Sequence, residues 1–390
     1  MIKPQHRIFA IFFLFAFGLG SLLSRLADIQ IQLGIQEGQL GISLMCSSFG
    51  MLVFLTLGPP LVERLGTKRT FILANIAMVA LYIVVAGSNI YWVVIGTIFL
   101  SGLMVGAMEI SINVEADRLE SHIGRRIMNR CHGFWSFGFF GAALIGGLMR
   151  HFDVTPLWHM AFVFPLVAIG TIGAVLGQQM APEKPDSNTQ KQGIFTKPTP
   201  FILALCAVSF GALIAEGAGI DWSTIYMRDS FEIGEFAQSS SLIAFTLVMA
   251  LTRFFADPVV EKYGTVIMAR LSISITIVGV SLVGVAPNFW LAVIGFMLLG
   301  MGSSIIYPLA VSAAARRKDR PASINVASLA QTAFLVFFIG PASLGFIAES
   351  FGIRMALMAP LPLLVLGLVF AGVLDETRFA QAKKAAKLDI

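Results

Sequence analysis

Two carboxylates stand where the surrounding residues are almost all apolar. Glu109 lies in the apolar run 91 to 115 with Asn113 one turn later, and Glu216 lies in the run 201 to 222. A charged side chain at the centre of a membrane-spanning helix costs about 2.5–3.5 kcal/mol on insertion scales. We therefore expect these side chains to face a cavity or a partner, where a carboxylate can bind a proton or a polar solute.

Helical spacing sorts the polar residues of the first run. Gly102, Gly106, Glu109 and Asn113 follow one another at intervals of 4, 3 and 4 residues, which places them on one face of a helix. Glu115 falls off this face and near the membrane surface, where we expect a structural role. Glu109 is predicted to be a cavity carboxylate that binds protons or substrate. The alternative is a structural hydrogen bond or ion pair with a neighbouring helix.

The next apolar run, NRCHGFWSFG from residue 129, supplies a candidate base and an aromatic ring. His132 and Ser136 share a helix face, and Trp135 precedes Ser136 directly. An imidazole beside a cavity can change its charge near neutral pH. We expect these three residues to contact solute. The alternative for His132 is an uncharged ring that packs and bonds to one neighbouring helix.

A second acidic group stands in the stretch AEGAGIDW. Glu216 precedes Gly217 and Gly219, so we expect the helix to break there. A broken membrane helix exposes backbone polar groups, which are tolerated only beside a cavity or packed protein. Glu216, Asp221 and Trp222 are therefore predicted to gate the site or bind substrate. The alternative is a helix end with an interfacial Trp and a solvated Asp.

Two arginines in or near apolar runs need partners. Arg25 is a candidate counter-charge for Glu216 or Asp221, or it extends to the membrane surface from a helix end. Arg253 and Asp257 are four residues apart, and we expect them to pair with each other and with the loop that follows.

A further polar stripe comprises Asn325, Ser328 and Thr332, with Gln331 close by. Cavity lining and hydrogen bonding between helices explain this stripe equally well. Asn325 and Gln331 are therefore candidates for contact with solute.

The elements that position these residues are membrane-spanning helices. Of the 390 residues, 57% are hydrophobic and 13% are charged, and the mean hydropathy of +0.83 excludes an ordinary soluble domain. A helix needs about 20 apolar residues to cross a bilayer. The sequence predicts twelve such helices, numbered 1 to 12, at 8–27, 38–62, 70–88, 91–115, 130–149, 158–178, 201–222, 236–257, 265–286, 289–312, 322–347 and 355–374.

The charges orient these helices. With both termini in the cytoplasm, 22 of the 27 Lys and Arg residues fall in cytoplasmic segments, as the positive-inside rule requires. The net charge of +5 therefore reflects topology and not nucleic-acid binding. The polar stretch 179–200 is typical of a flexible cytoplasmic linker between an N-terminal bundle, 1–178, and a C-terminal bundle, 201–390. We expect a multi-pass membrane protein.

The two halves repeat one another. VERLGT at 62–67 returns as VEKYGT at 260–265, a shift of 198 that also places Gly102 on Gly300. Such a parallel duplication is typical of transporters that bind substrate near the membrane midplane between the halves. We expect the repeated loops and their flanks to form a cytoplasmic gate comprising Glu63, Arg64, Gly66, Lys68, Arg69, Asp257, Glu261, Lys262 and Gly264.

The first loop, PPLVERLGTKR, resembles the cytoplasmic loop signature of the major facilitator superfamily, Gly-x-x-x-Asp-Arg-x-Gly-x-Lys-Arg. Glu63 stands at the Asp position, and Pro59 replaces the leading Gly. The resemblance implies an all-α membrane protein of two six-helix bundles, with a charged latch that holds the halves in one state and breaks in the other. The alternative for this loop is a solvated segment that only sets orientation.

A closer resemblance covers AMEISINV and NRCHGFWSFG, which are similar to helices 4 and 5 of the fucose permease family of proton symporters. It implies that Glu109 is the protonatable cavity residue, that Asn113 matches an Asn of that family, and that His132 matches a sugar-contacting position. The helix 1 Asp of that family has no match here, and Arg25 lies nearby. Over its full length the chain resembles a sparsely characterised bacterial branch of inner-membrane transporters, through HGFWSFG and AEGAGIDW.

Other classes of activity lack their motifs. The three cysteines stand at unrelated positions, which predicts neither a disulfide framework nor a metal site. No GxxxxGK[ST] phosphate-binding loop occurs, so we expect no ATP hydrolysis. No His-Glu-x-x-His or Gly-x-Ser-x-Gly pattern occurs either, and we expect no cofactor and no enzymatic activity. The energy for transport is then expected to come from an ion gradient, with protons as the coupling ion.

The direction of transport is inferred from helix 5. The antiporter pattern Gly-x-x-x-Gly-Pro-x-x-Gly-Gly lacks its Gly-Pro here, because Ala142 and Ala143 occupy those positions. The sequence therefore predicts a monomeric, alternating-access carrier for proton-coupled uptake of a small polar organic solute, sugar-like or similar. The alternative is a proton-driven exporter of small amphipathic compounds.

Overall fold

Twelve apolar helices long enough to cross a membrane make up the fold in a computed structural model, which describes residues 4–124, 127–176, 180–182, 197–317 and 319–375. No strand occurs among those residues. The twelve predicted helices and the all-α class are confirmed. Their observed bounds are Pro4–Leu33, Glu37–Leu57, Thr67–Gly87, Tyr91–Ile123, Arg130–His151, Pro156–Val175, Pro200–Asp221, Glu235–Tyr263, Thr265–Val285, Phe289–Arg316, Ile324–Phe351 and Ile353–Leu374.

Two large hydrophobic cores correspond to the two halves of the chain. One is built from helices 1 to 6 and contains Phe12, Phe71 and Met108. The other is built mainly from helices 7 to 12, contains Phe245 and Phe296, and takes in a few residues of helices 1 and 2. Because an even number of helices joins residues 4 and 375, both lie on one side of the membrane, which the excess of Lys and Arg assigns to the cytoplasm.

Parts of several sequence predictions lie outside the described residues. The predicted linker 179–200 is described only at its two ends. The cytoplasmic cations outside the described residues are Lys3, Arg125, Arg126, Lys184, Lys191, Lys318, Arg378, Lys383, Lys384 and Lys387.

The repeat extends to the irregular points of the backbone. Helix 1 is interrupted after Leu23 and helix 7 after Asp221, so each half begins with a broken helix. Gly66, with φ 75° and ψ 154°, and Gly264, with φ 84° and ψ 156°, form matching turns after helices 2 and 8. Only glycine readily adopts this conformation, which explains the glycine in both copies of the repeated loop.

Glycines also allow two helix pairs to touch backbone to backbone. A Cβ atom on Gly102 of helix 4 would overlap the carbonyl oxygen of Ser47 on helix 2. In the second half, a Cβ on Gly300 of helix 10 would press on the carbonyl oxygen of Phe245 on helix 8. Gly300 and Phe245 each follow their counterparts, Gly102 and Ser47, by 198 residues, so the two contacts are equivalent in the repeat. The glycine stripe of helix 4 therefore packs against helix 2, and the stripe reaches the cavity described below only at Glu109.

Gly102→Ala is expected to destabilise the protein by about 1–3 kcal/mol, because the new methyl group meets backbone that cannot rotate away. Gly96→Ala on the same helix is the matched control, since a Cβ there meets nothing within 4 Å. Alanine in an open helical position should be neutral or stabilise by up to about 1 kcal/mol. Reversible unfolding in mixed micelles measures both. Equal stability of the two variants would contradict the close packing of helices 2 and 4.

Polar contacts join the two halves at the outer ends of the helices. Arg228, after helix 7, donates to the carbonyl oxygen of Ala27 and to Gln30 Oε1, at 3.0 Å each. Arg150 of helix 5 donates to Gln238 Oε1 at 2.6 Å. The backbone N–H of Gly38 in helix 2 donates to Glu349 Oε2 of helix 11 at 3.1 Å. We call these three connections the outer latch, and they hold the outer side closed.

Arg228→Ala removes one connection of the outer latch, with its two hydrogen bonds, and should shift the protein toward a state open to the outside. A loss of about 1 kcal/mol corresponds to a roughly fivefold change in population. The measurement is the labelling rate of an Ile220→Cys cavity site by a membrane-impermeant thiol reagent added outside. Arg354→Ala is the matched control, because Arg354 donates to Gly284 and Ala286 carbonyls within its own half. A fivefold rise in the control as well would contradict a role specific to the latch.

Candidate functional site

A central cavity of about 360 Å³ lies between the two halves. Helices 1, 2, 4 and 5 contribute one side of its wall, and helices 7, 10 and 11 contribute the other. The ionisable side chains of the described wall, apart from the phenol of Tyr307, are all acidic. The remaining wall is mostly apolar, with Leu19, Leu23, Leu44, Met51, Val105, Trp135, Phe139, Leu213, Ile214, Ile220, Ala330, Ala333, Val336, Phe337, Pro341 and Leu344.

Glu109 reaches this wall from helix 4. Asn113 Nδ2 donates to Glu109 Oε2 at 3.2 Å and to the Glu109 carbonyl oxygen at 2.8 Å. Among the described residues this amide, one turn away on the same helix, is the hydrogen-bond partner of the carboxylate. Glu109 and Asn113 share one helix face, as the spacing predicts, and within the described part of the chain no hydrogen bond ties the carboxylate to another helix.

Helix 5 places its candidates at different depths. Trp135 lines the cavity and packs against Phe139 with ring centroids 4.5 Å apart. His132 lies one helical turn closer to the cytoplasm than Trp135 and is exposed. Its ring and the Phe12 ring pack edge to face, with centroids 5.5 Å apart. Ser136 is buried and donates to the carbonyl oxygen of His132 at 3.1 Å. Trp135 therefore lies on the wall, whereas His132 and Ser136 do not.

Glu216 forms an ion pair with an arginine that the sequence analysis assigned elsewhere. Arg253 Nη2 lies 2.7 Å from Glu216 Oε1, and both side chains are less than one-fifth exposed. Arg253 also donates to the Ser304 carbonyl oxygen at 3.1 Å and to Ser136 Oγ at 3.4 Å. The sequence predicts that Arg253 pairs with Asp257, and this prediction does not include Glu216. The long arginine side chain extends from helix 8 to helix 7 and to the other half, which helical spacing does not reveal.

The prediction that Arg25 is the counter-charge of Glu216 or Asp221 is wrong. Arg25 is 3% exposed at the interruption of helix 1 and pairs with Asp28 at 2.5 Å. It also donates to the carbonyl oxygen of Val154 at 2.7 Å, and Asp28 in turn pairs with Arg150 at 3.0 Å. Arg25 therefore has its partners inside the first half, and through Asp28 it supports Arg150 of the outer latch.

Asp221 lies on the cavity wall at the end of helix 7. The helix runs through Gly217 and Gly219, which corrects the predicted break: the interruption comes at Trp222. Gly219 is instead a packing position, where a Cβ would press on the Phe245 ring. Trp222 is 1% exposed and belongs to the core of the second half, so it is neither on the wall nor at the membrane surface.

Asn325 lies away from the cavity, which corrects its assignment as a lining residue. Its amide donates to Asp319 Oδ1 at 3.0 Å in the loop before helix 11. Partial desolvation would raise the pKa of Asp319, but this hydrogen bond and the charge of Arg317 hold that pKa below its ordinary value. Gln331 is partly buried and not part of the wall, which helix 11 forms with apolar side chains.

Each of the two repeated loops lies at the cytoplasmic ends of its helices. Their exposed side chains are Glu63, Arg64, Arg69, Asp257, Glu261 and Lys262, and Lys68 is partly buried. Beside the first loop, Glu115 is buried and accepts hydrogen bonds from Thr67 Oγ1 and from the Ala181 N–H, each at 2.9 Å. Glu115 thus anchors the start of helix 3, which is a structural role. A latch role for the loops stays a prediction.

A family model identifies the class of protein to which this arrangement belongs. The model of the Major Facilitator Superfamily matches residues 8–234 and 205–388. The chain belongs to the Major Facilitator Superfamily. Its members are transporters, so the cavity between the halves of this superfamily protein is the candidate site of transmembrane transport.

Two bacterial relatives are similar to this chain over most of its length. The chain is 28% identical over 361 residues to the uncharacterized transporter y4wD of Sinorhizobium fredii, covering 91% of this chain and 94% of y4wD. It is 24% identical over 350 residues to membrane protein MosC of Rhizobium meliloti, covering 89% and 84%.

Two solved structures are similar in fold. A mutant of the nucleoside transporter NupG superposes with a TM-score of 0.73 at 16% identity, covering 96% of this chain and 100% of that one. A bacterial homolog of the human lysosomal transporter Spinster, inward-facing and unoccupied, superposes with a TM-score of 0.72 at 12% identity, covering 95% and 96%. At these identities the likeness shows the fold alone.

Several residues of this superfamily protein that make contacts between helices are not predicted from the sequence. Arg253 and Glu216 are opposite charges that stand in consecutive apolar runs, and this is the sequence signal that could have paired them. Tyr307 on the wall and the latch residues Arg228 and Gln238 carried no pattern that sets them apart. Contacts between halves have no sequence period, which is why spacing alone does not find them.

Proposed function

We propose that this protein is a proton-coupled secondary carrier with Glu109 as the coupling carboxylate. The observation that supports the proposal is the position of Glu109 on the wall between the halves, bonded only to Asn113 of its own helix among the described residues. A carboxylate held in this way can gain and lose a proton without breaking a contact between helices. Protonation removes its charge and so lowers the cost of closing the cavity around it.

Alternating access follows from the two-bundle fold. In this mechanism the halves rock about the central site, and each side opens in turn. The outer latch is closed, so the state described is not open to the outside. Opening to the outside requires the bonds of Arg228, Arg150 and Glu349 to break. The relatives named above are bacterial, which supports placement in a bacterial inner membrane.

Uptake of a small organic solute with a polar group remains our proposal, and its direction rests on the helix 5 sequence, in which Ala142 and Ala143 replace the Gly-Pro of antiporters. A second candidate is proton-driven export of small amphipathic compounds. The wall favours the amphipathic solutes of this second candidate, because its apolar and aromatic side chains greatly outnumber its polar ones. Apolar wall area contributes to binding only for a solute that has apolar surface of its own.

The test uses purified protein in proteoliposomes that contain a pH-sensitive dye. A thermal-shift screen against metabolites and amphipathic compounds first supplies a solute, since a ligand raises apparent stability by mass action. Adding that solute should then move protons: with the solute for uptake, against it for export. Solute movement that ignores a pH gradient and a protonophore would contradict proton coupling. Unchanged sensitivity of a deletion strain to the amphipathic compounds would argue against export.

A further inference from the structure

The charge of the cavity restricts the kind of solute that it can hold. The described wall carries three carboxylates, Glu109, Glu216 and Asp221, and no Lys, Arg or His. Arg253 neutralises Glu216 from behind the wall. In uptake, the direction of the proposed function on which this inference rests, Glu109 carries the coupling proton while solute is bound, and Asp221 is the carboxylate that remains to be neutralised. In export, proton and solute would alternate at the site, so a bound solute would meet the charge of Glu109 as well as that of Asp221.

Asp221 is placed to receive a ligand. It ends the first segment of helix 7, next to the interruption at Trp222, and it is partly buried on the wall. No hydrogen bond or ion pair to Asp221 occurs within the described part of the chain. An ionised carboxylate in surroundings of low polarity is costly unless a positive group lies beside it.

The rest of the wall suits the body of such a ligand. A cavity of about 360 Å³ is within the range of small-molecule sites, and its apolar side chains surround the acidic groups. Trp135 offers an aromatic face, which attracts a cation as well as apolar surface. An anion of the same size would meet repulsion from Asp221 and gain nothing from Arg253, which already bonds to Glu216, Ser304 and Ser136.

We propose that the transported solute is an amphipathic organic cation: an amine whose ammonium group pairs with Asp221 while its apolar body fills the cavity beside Trp135. A neutral sugar would leave Asp221 unpaired, and a sugar acid would add a second negative charge. The inference therefore narrows the substrate to one charge class, whichever direction transport takes.

The test is isothermal titration calorimetry of the purified full chain with three matched sets of probes. Each set has one body, phenylalkyl, indolylalkyl or alkyl, that ends in an ammonium, an alcohol or a carboxylate group. We expect binding of ammonium probes at least about 30-fold tighter than binding of their alcohols and carboxylates, the scale of a desolvated charge pair. Failure of every ammonium probe to bind, or equal binding of alcohols or carboxylates, would overturn the inference.

Variants assign the effect to Asp221. Asp221→Asn should weaken ammonium binding about 30-fold, and Asp221→Glu should retain most of it. Asp153→Asn is the matched control, because Asp153 is exposed outside the cavity and its positive φ of 53° is readily adopted by Asn. Unchanged ammonium binding by Asp221→Asn would overturn the assignment. The comparison of probes on the unmodified protein decides the inference even if that variant fails to fold.

The outcomes separate this inference from the proposed function. Proton-coupled transport of a neutral or anionic solute would contradict the cation inference and leave proton coupling intact. Ammonium binding by a protein whose transport ignores the pH gradient would contradict proton coupling and leave the cation inference intact.

Discussion

Glu109→Gln is expected to abolish pH-driven accumulation of solute while exchange of solute across the membrane continues. A gradient of one pH unit supplies about 1.4 kcal/mol per proton, enough for about tenfold accumulation when one proton accompanies one solute. The variant should reach a ratio near one, because glutamine keeps the shape and the hydrogen bond to Asn113 but cannot carry a proton. Counterflow and accumulation in the same proteoliposomes measure the two quantities.

Glu232→Gln is the matched control for this experiment. Glu232 is an exposed glutamate in the segment between helices 7 and 8, outside the cavity. The variant Glu232→Gln should retain about tenfold accumulation of solute under the same pH gradient. Full accumulation by Glu109→Gln would rule out Glu109 as the coupling group. Loss of counterflow together with accumulation would instead assign it to solute binding.

Arg253→Met is expected to lower the free energy of unfolding by about 3 kcal/mol, because it leaves Glu216 as an unpaired charge between helices. Methionine keeps much of the side-chain volume, so lost packing contributes little. In the double variant Arg253→Met with Glu216→Met, no charge is left unpaired, and most of the stability should return. Reversible unfolding of the single and double variants in mixed micelles gives the coupling free energy.

The control is Arg270→Met, which removes an exposed arginine of helix 9 and should change stability by less than about 0.5 kcal/mol. A double variant as unstable as the sum of its two single variants would show that the pair has no energetic coupling. The bonds from Arg253 to Ser304 and Ser136 are lost in Arg253→Met and in the double variant alike, so their loss cancels in the cycle. The coupling free energy then reports the pairing with Glu216.

The fold was predictable from sequence because its signals are long. Twelve apolar runs each reach the length of about 20 residues that crosses a bilayer as a helix, and a helix satisfies its own backbone hydrogen bonds in lipid. The repeated loop VERLGT and VEKYGT then gave the shift of 198, which the matching φ and ψ of Gly66 and Gly264 reproduce. Helix ends were less predictable: helix 4 continues to Ile123 because the polar residues after residue 115 remain helical.

The site was predictable only in part. Glu109, Trp135, Glu216 and Asp221 all lie on the wall, as their positions in apolar helices suggested. Helical period fixes which residues share a face, but it does not tell which other helix that face meets. For this reason the partner of Arg253 was missed, and Asn325, at the start of its helix, was placed in the cavity although it closes a loop.

The matched contacts of Gly102 on Ser47 and of Gly300 on Phe245 have a mechanical consequence. Helices 2 and 4, and likewise 8 and 10, touch through backbone with no flexible side chain between them, so neither member of a pair can slide without the other. Each bundle then behaves as a stiff lever, and the strain of a transport cycle concentrates in the few polar bonds that cross between the levers.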